Sequence, residues 1–183
     1  MATDISMASN ALVLIGDDPI SALSESVAAS NLYANTYEYV LSLSPWTFAL
    51  KEVKFSRLSQ TPDIETGFIY AFQKPTDLIR LWAVLPTTNY RMVGEFIYSN
   101  NTEMFGRYVY KADETGLPAH IVKCIQYKLA SEFAVSVAED EKKMEMFERM
   151  FQDALGQAMS IDSMQQPYAQ IRGNPIRRGR RHQ

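Results

Sequence analysis

Asn10-Ala11-Leu12-Val13-Leu14-Ile15-Gly16-Asp17-Asp18-Pro19-Ile20-Ser21-Ala22-Leu23 ends one helix and sets up the next. Upstream of it, Ile5, Ala8, Leu12 and Ile15 recur at spacings of three, four and three, which is one face of a helix. Asp4 is the expected N-cap. Gly16 suits the left-handed position just past a helix end. Pro19 then stops the helix from resuming, because proline lacks the N–H and its ring clashes with the preceding turn. Ser24 is expected to cap a second helix. Its stripe is Ala29, Tyr33, Thr36, Val40 and Leu43, and Pro45 closes it.

The run Pro45-Trp46-Thr47-Phe48-Ala49 marks a change of character. From Thr47 to Lys111 the chain is rich in β-branched and aromatic residues. Phe68, Tyr70 and Phe72 alternate, as do Ile79, Leu81, Ala83 and Leu85. Val93, Glu95 and Ile97 alternate more weakly, and Phe105 to Tyr110 is a further short run. Turns are expected at Thr61-Pro62-Asp63, Gln73-Lys74-Pro75, Pro86 to Asn89 and Asn100-Asn101. Four or five short antiparallel strands follow from this pattern. Helical spacing returns after Pro118, which suits a first turn. Ile121, Ile125, Leu129, Phe133 and Val137 form one stripe; Met144, Phe147, Phe151, Ala154 and Ala158 form another. Asp140 and Glu141 stand where a last helix would begin and complement its dipole.

The fold expected is mainly α, of the α+β class. Four helices at about 4–15, 25–43, 118–138 and 140–161 make a body over residues 1–162. An antiparallel β insertion at about 47–111 separates the second and third helices. A basic extended arm occupies 163–183.

With 183 residues, 46% of them hydrophobic and 21% charged, the chain is long enough for one domain with a real core. No apolar run approaches the roughly 20 residues that span a bilayer. Residues 1–10 carry Asp4 and no basic residue, so no signal peptide is expected there. A single cysteine, Cys124, excludes a disulfide within the chain. The net charge of -3 is unevenly spread. All 21 acidic residues lie at or before Asp162, whereas Arg172, Arg177, Arg178, Arg180 and Arg181 lie in the arm. Taking those five from the 18 basic residues leaves 13 against 21 acidic, a body of charge -8. Like-charge blocks of this kind often serve as interaction arms.

Residues fit for chemistry are few. His120 and Cys124, four apart on a helix, are the one possible nucleophile–base or ligand pair, and two ligands do not make a metal site. The plainer reading of Cys124 is a small buried apolar residue. Glu139, Asp140 and Glu141 are followed at once by Lys142 and Lys143, which reads as a solvated helix start more readily than as a cation site. No catalytic residue, metal or cofactor is expected. The nine Phe, ten Tyr and two Trp divide between core and subunit contacts. The arginine arm has three readings: docking into an acidic groove of a protein partner, contact with nucleic-acid phosphates, or a solvated end.

These residues also resemble a family. An apolar helix ending in glycine, then proline, a small apolar residue, serine or threonine, and leucine is the opening of the tail tubular protein A family, the head-to-tail adaptors of short-tailed bacteriophages. Gly16, Pro19, Ile20, Ser21 and Leu23 fill those places. A helix ending in Trp followed by Phe and a small residue is the second match, at Pro45, Trp46, Phe48 and Ala49. The third is the Leu117-Pro118 entry to a helix carrying Leu129, Ala130, Phe133 and Ala134. The likeness covers about residues 5–160 in layout and is most specific in the first fifty.

The resemblance implies a structural virion protein of the tail or neck, made in the bacterial host cytoplasm. It implies a dodecameric ring beneath the portal protein that extends the DNA channel and carries the tail nozzle or tail fibres. Genomic DNA passes through without specific binding, which an acidic body suits. The arm, with Ile171, Arg172, Ile176, Arg177, Arg178, Arg180 and Arg181, is then expected to dock on portal. The alternative is a nucleic-acid-binding accessory protein acting through the same arginines.

Overall fold

In the computed structural model, residues 2–59, 62, 67–86 and 89–165 are described. Four helices form the body: α1 (Asp4–Ile15), α2 (Val27–Ser42), α3 (Ala119–Ser136) and α4 (Glu141–Met164). Six strands lie between α2 and α3: β1 (Leu50–Lys54), β2 (Tyr70–Gln73), β3 (Leu78–Leu85), β4 (Tyr90–Val93), β5 (Phe96–Ser99) and β6 (Phe105–Tyr110). The fold is therefore mainly α, α+β, with its antiparallel sheets inserted between the second and third helices.

The helices form where apolar spacing predicts them, and Asp140 caps α4 where a last helix was expected to begin, but the N-caps of α1 and α2 differ. Thr3, not Asp4, caps α1. Its hydroxyl accepts from Ser6 N while Ser6 Oγ accepts from Thr3 N, a reciprocal box that satisfies two otherwise orphan donors. Asp4 sits one residue inside, where its charge still favours the dipole. Ser24 lies within a single 3₁₀ turn, Leu23–Glu25, and Ser26 caps α2 through Ala29 N. The displacement has a cause: Glu25 reaches back to Ser21 N at 2.8 Å, which keeps that turn out of the helix. At the other end of α1, Gly16 takes φ 90 and its N–H meets the Leu12 and Val13 carbonyls, as expected of a helix stop. The last helix continues through Met164, past the 162/163 boundary expected for the body.

α3 is the hub. It packs against α1, α2 and α4 and buries Ile121, Cys124, Ile125, Leu129, Ala130, Phe133 and Ala134. The expected stripes of α1 and α2 face it, with Ile5 and Leu43 only half-buried at their ends. Val137, expected in the α3 stripe, is instead the exposed C-cap residue. Across helices, Thr36 Oγ1 donates to Glu132, and Lys128 Nζ donates to Glu148 at 2.9 Å.

Among the described residues the insertion has six strands in two sheets, where four or five strands were expected. One sheet runs β1-β6-β3 and the other β2-β5-β4, all antiparallel. Two features obscured this in the sequence. Val93, Glu95 and Ile97 are not one strand: Gly94 and Glu95 turn the chain between β4 and β5, and Gly94 adopts φ 57, which glycine alone takes freely. In β3 the register shifts between Leu78 and Arg80 and again between Leu81 and Ala83. Each shift interrupts the alternation, so Val84 is buried while Leu85, expected on the same face as Leu81, is 61% exposed. The turn expected at Gln73-Lys74-Pro75 falls at Thr76-Asp77, closed by Leu78 N to the Pro75 carbonyl. Much of the expected turns at 61–63 and 86–89 lies outside the described residues.

Phe55, Phe72, Val84, Ile97 and Met104 form a core between the two sheets, separate from the helical core. Gly106, the second residue of β6, makes it possible. A Cβ there would lie 2.1 Å from Phe55 Cζ. Gly106→Ala is therefore expected to displace the Phe55 ring and lower stability by about 1–3 kcal/mol, the usual cost of overpacking. Chemical denaturation of the variant measures it; an unchanged midpoint would show that Phe55 moves aside freely.

Candidate interaction surfaces

The two sequence motifs meet the rest of the body through hydrogen bonds rather than chemistry. After Gly16 the chain doubles back, and Ile20 N donates to Ser9 Oγ at 3.1 Å. Lys143 Nζ, in the first turn of α4, donates to the Ile15 carbonyl at 2.7 Å, so the end of α1 holds the start of α4. Pro19 and Ser21 are exposed and Leu23 is half-buried against the helical core. Pro45 is half-buried; Trp46 is fully buried, stacks on Phe48 at 6.4 Å and donates Nε1–H to the Val40 carbonyl at 3.2 Å.

Thr47 completes this junction. Its backbone N–H lies 3.1 Å from both carboxylate oxygens of Asp162, and its hydroxyl donates to Asp162 Oδ1 at 2.7 Å. Asp162 is 5% exposed. A buried carboxylate is costly unless it accepts strong, charge-assisted bonds, and Thr47 supplies them. The last turn of α4, from which the arm departs, is thus moored to the entrance of the β insertion. Sequence reading missed this contact, treating Asp162 only as the last acidic residue. Only its burial carries a signal: Phe147, Phe151, Leu155, Ala158 and Asp162 share one buried stripe. The arm residues themselves, Ile171, Arg172, Ile176, Arg177, Arg178, Arg180 and Arg181, lie outside the described residues.

The insertion leaves apolar side chains uncovered. Leu85 and Phe105 are register partners on neighbouring strands, 61% and 44% exposed. Between them and Glu52, Ala83, Gly106 and Arg107 lies a small groove of about 220 Å³. Trp82 on β3 is also exposed, with the Arg80 guanidinium 5.1 Å from its ring centre. Lys54 stands 5.8 Å from the Phe105 ring, and Arg107 pairs with Glu52. Apolar rings ringed by cations and acids have the composition of a protein–protein contact, where Trp and Arg are enriched.

Groups suited to catalysis are arranged otherwise. Cys124 is buried and desolvation pushes its thiol up to about 11, so at neutral pH it is the protonated, unreactive form. His120 lies one turn away, its Nε2 buried with no hydrogen-bond partner among the described residues. A cleft of about 570 Å³ is lined in part by Glu38, Asp77, Asp113 and Glu114. Two of these acids are engaged: Glu38 with Lys111, and Asp77 with Lys51 and the Tyr108 hydroxyl. The Lys51 hydrogen bond holds the Asp77 carboxyl below its ordinary range. Burial, followed by Asp77, pushes the Tyr108 phenol up to about 12. Among the described residues no group of three or more His, Cys, Asp or Glu could hold a metal ion, and no helix is long and apolar enough to cross a membrane. Comparison of the sequence with protein-family models and with curated proteins finds no match to either.

The mooring is testable. Asp162→Ala leaves Thr47 N–H buried without its acceptor, and a loss of about 1–3 kcal/mol is expected. Asp162→Asn, which keeps one acceptor oxygen, should lose less. Equal losses for the two variants would mean that the carboxylate's hydrogen bonds are not what holds the junction.

Proposed function

We propose that this chain is a structural subunit of the head-to-tail junction of a short-tailed bacteriophage, forming a ring beneath the portal protein. The observation that carries the reading is a conjunction. The Asn10–Leu23 and Pro45–Ala49 motifs, which carry the family resemblance, lie at the joints of one four-helix body, and that body bears a β insertion with apolar side chains turned outward. Joints made of a helix stop, a buried tryptophan and a moored helix end give a rigid frame. Exposed Trp82, Leu85 and Phe105 give that frame surface to bury in an assembly.

In this reading the ring extends the DNA channel and supports the tail nozzle or fibres. The acidic body, at -8 without the five arm arginines, keeps passing DNA from binding tightly. The arm leaves the body beside Thr47 and Asp162 and docks on portal through Ile171, Ile176 and the arginines. A salt-sensitive docking contact follows from five guanidinium groups in so short a stretch.

Native mass measurement tests the assembly. The purified chain mixed with the portal protein of the same genome is expected to join it as a ring of twelve copies; a chain that never joins portal sinks the proposal. Trp82→Ala is expected to weaken that assembly about tenfold or more, since exposed tryptophan is a common interface anchor, while the melting temperature stays as it was. Deleting Ile171 to Gln183 is expected to weaken portal binding, most at low salt, where the arginine contacts it removes are least screened. Undiminished joining by the truncated chain would remove the docking role of the arm.

A further inference from the structure

We infer that the outward face of α4 is a self-docking surface that pairs two copies of this chain antiparallel. The inference does not rest on the ring reading. α4 turns Phe147, Phe151, Leu155, Ala158 and Asp162 to the body. On the opposite side, Lys142, Met146, Arg149 and Asp153 follow at spacings of four, three and four, a single line along the helix. Together with Glu145 and Met150 they border a shallow groove of about 290 Å³. Met146 is 48% exposed and Met150 37%. The solvent side of an amphipathic helix is ordinarily polar; methionine there is the adaptable side chain of contact surfaces.

The order of charges names the occupant. Reversing the helix about the point between Phe147 and Glu148 sets Lys142 opposite Asp153 of the second copy, and Met146 opposite the stem of Arg149. Every layer then takes one residue from each copy, as alternating three-four spacing requires of paired helices. Among the described residues, neither Lys142 nor Asp153 has an ion-pair partner in its own chain. Arg149 touches Glu145 only loosely, at 3.7 Å, with both side chains largely exposed. Those charges are free to be shared across a pair. A parallel arrangement would set Lys142 against Lys142 and Asp153 against Asp153, so the surface complements itself in one direction only. Such a contact is isologous and closes at two copies. It cannot propagate a ring; it is a state of the free chain.

Sedimentation velocity of the full chain over rising concentration, at low ionic strength, tests this. A monomer–dimer equilibrium is expected. Lys142→Glu alone and Asp153→Lys alone should each weaken it about tenfold, and the two together should restore it. A misfolded variant would not be rescued by a second charge reversal, so the swap separates docking from folding. A monomer at every concentration overturns the inference. So does association that ignores both single changes, or a double variant no better than either.

Discussion

The pairing of Leu50 with Val109 is the constraint on which the molecule turns. The chain leaves the helical body at the end of α2 and returns to it before α3. Between these points it builds two sheets. Because β1 and β6 are neighbours in one sheet, the insertion's exit and entry are closed by backbone hydrogen bonds along five residue pairs. Closing so long a loop costs chain entropy, but the cost rises only slowly with length. The pairing also sets Val109 and Leu50 against the helical core, while Val53 of β1 packs on the second core and Gly106 of β6 lies against Phe55 there. Without it, α2 and α3 would be joined by a long tether. With it, they are joined by a stiff strand pair.

The surroundings of that closure are built to be rigid. Trp46 is buried immediately before β1. Tyr110, at the far end of β6, directs its hydroxyl to the Phe48 carbonyl at 3.4 Å, while Lys51 lies 3.9 Å from its ring centre. Arg80 on β3 donates to the Ser42 carbonyl at the end of α2, at 2.8 Å. The β3 edge is therefore fastened to the end of α2, and the central strand β6 to the turn that leads into β1. Within the strands of the insertion, the large apolar side chains left uncovered are on β3, β4 and the starts of β5 and β6. A scaffold rigid near its own core and open at its outer strands is what an assembly component requires, because ordering the contact surface then costs little on binding.

The helices were legible in the sequence because apolar spacing over three or four turns is a redundant signal. Phe147, Phe151 and Ala158 fell where the period placed them. Helix ends were less legible, since Thr3 competes with Asp4, and Ser26 with Ser24; local side-chain bonds, Ser6 with Thr3 and Glu25 with Ser21, go with the choice. Strand pairing was legible only in outline. Gly94 makes a two-residue turn inside what reads as one alternating run, and the shifts in β3 move Val84 and Leu85 to the opposite sides from those that strict alternation gives. The buried pair Thr47 and Asp162 joins residues 115 positions apart, and no local pattern announces a partner at that distance. The arm is legible as charge alone. Its sequence contains no counterpart that would say which surface receives it.

The mooring of α4 has a mechanical consequence. A pull applied beyond residue 165 would ordinarily unravel a helix from its end, one turn at a time. Here the last turn is pinned by Thr47, whose backbone N–H and hydroxyl both grip the Asp162 carboxylate. Tension therefore passes sideways from the helix into the 3₁₀ turn Thr47–Ala49 and on into β1. In β1 the force meets antiparallel bonds to β6 spread over five residue pairs. The joint converts a peeling load on one helix end into a load shared along the strands of the inserted sheet.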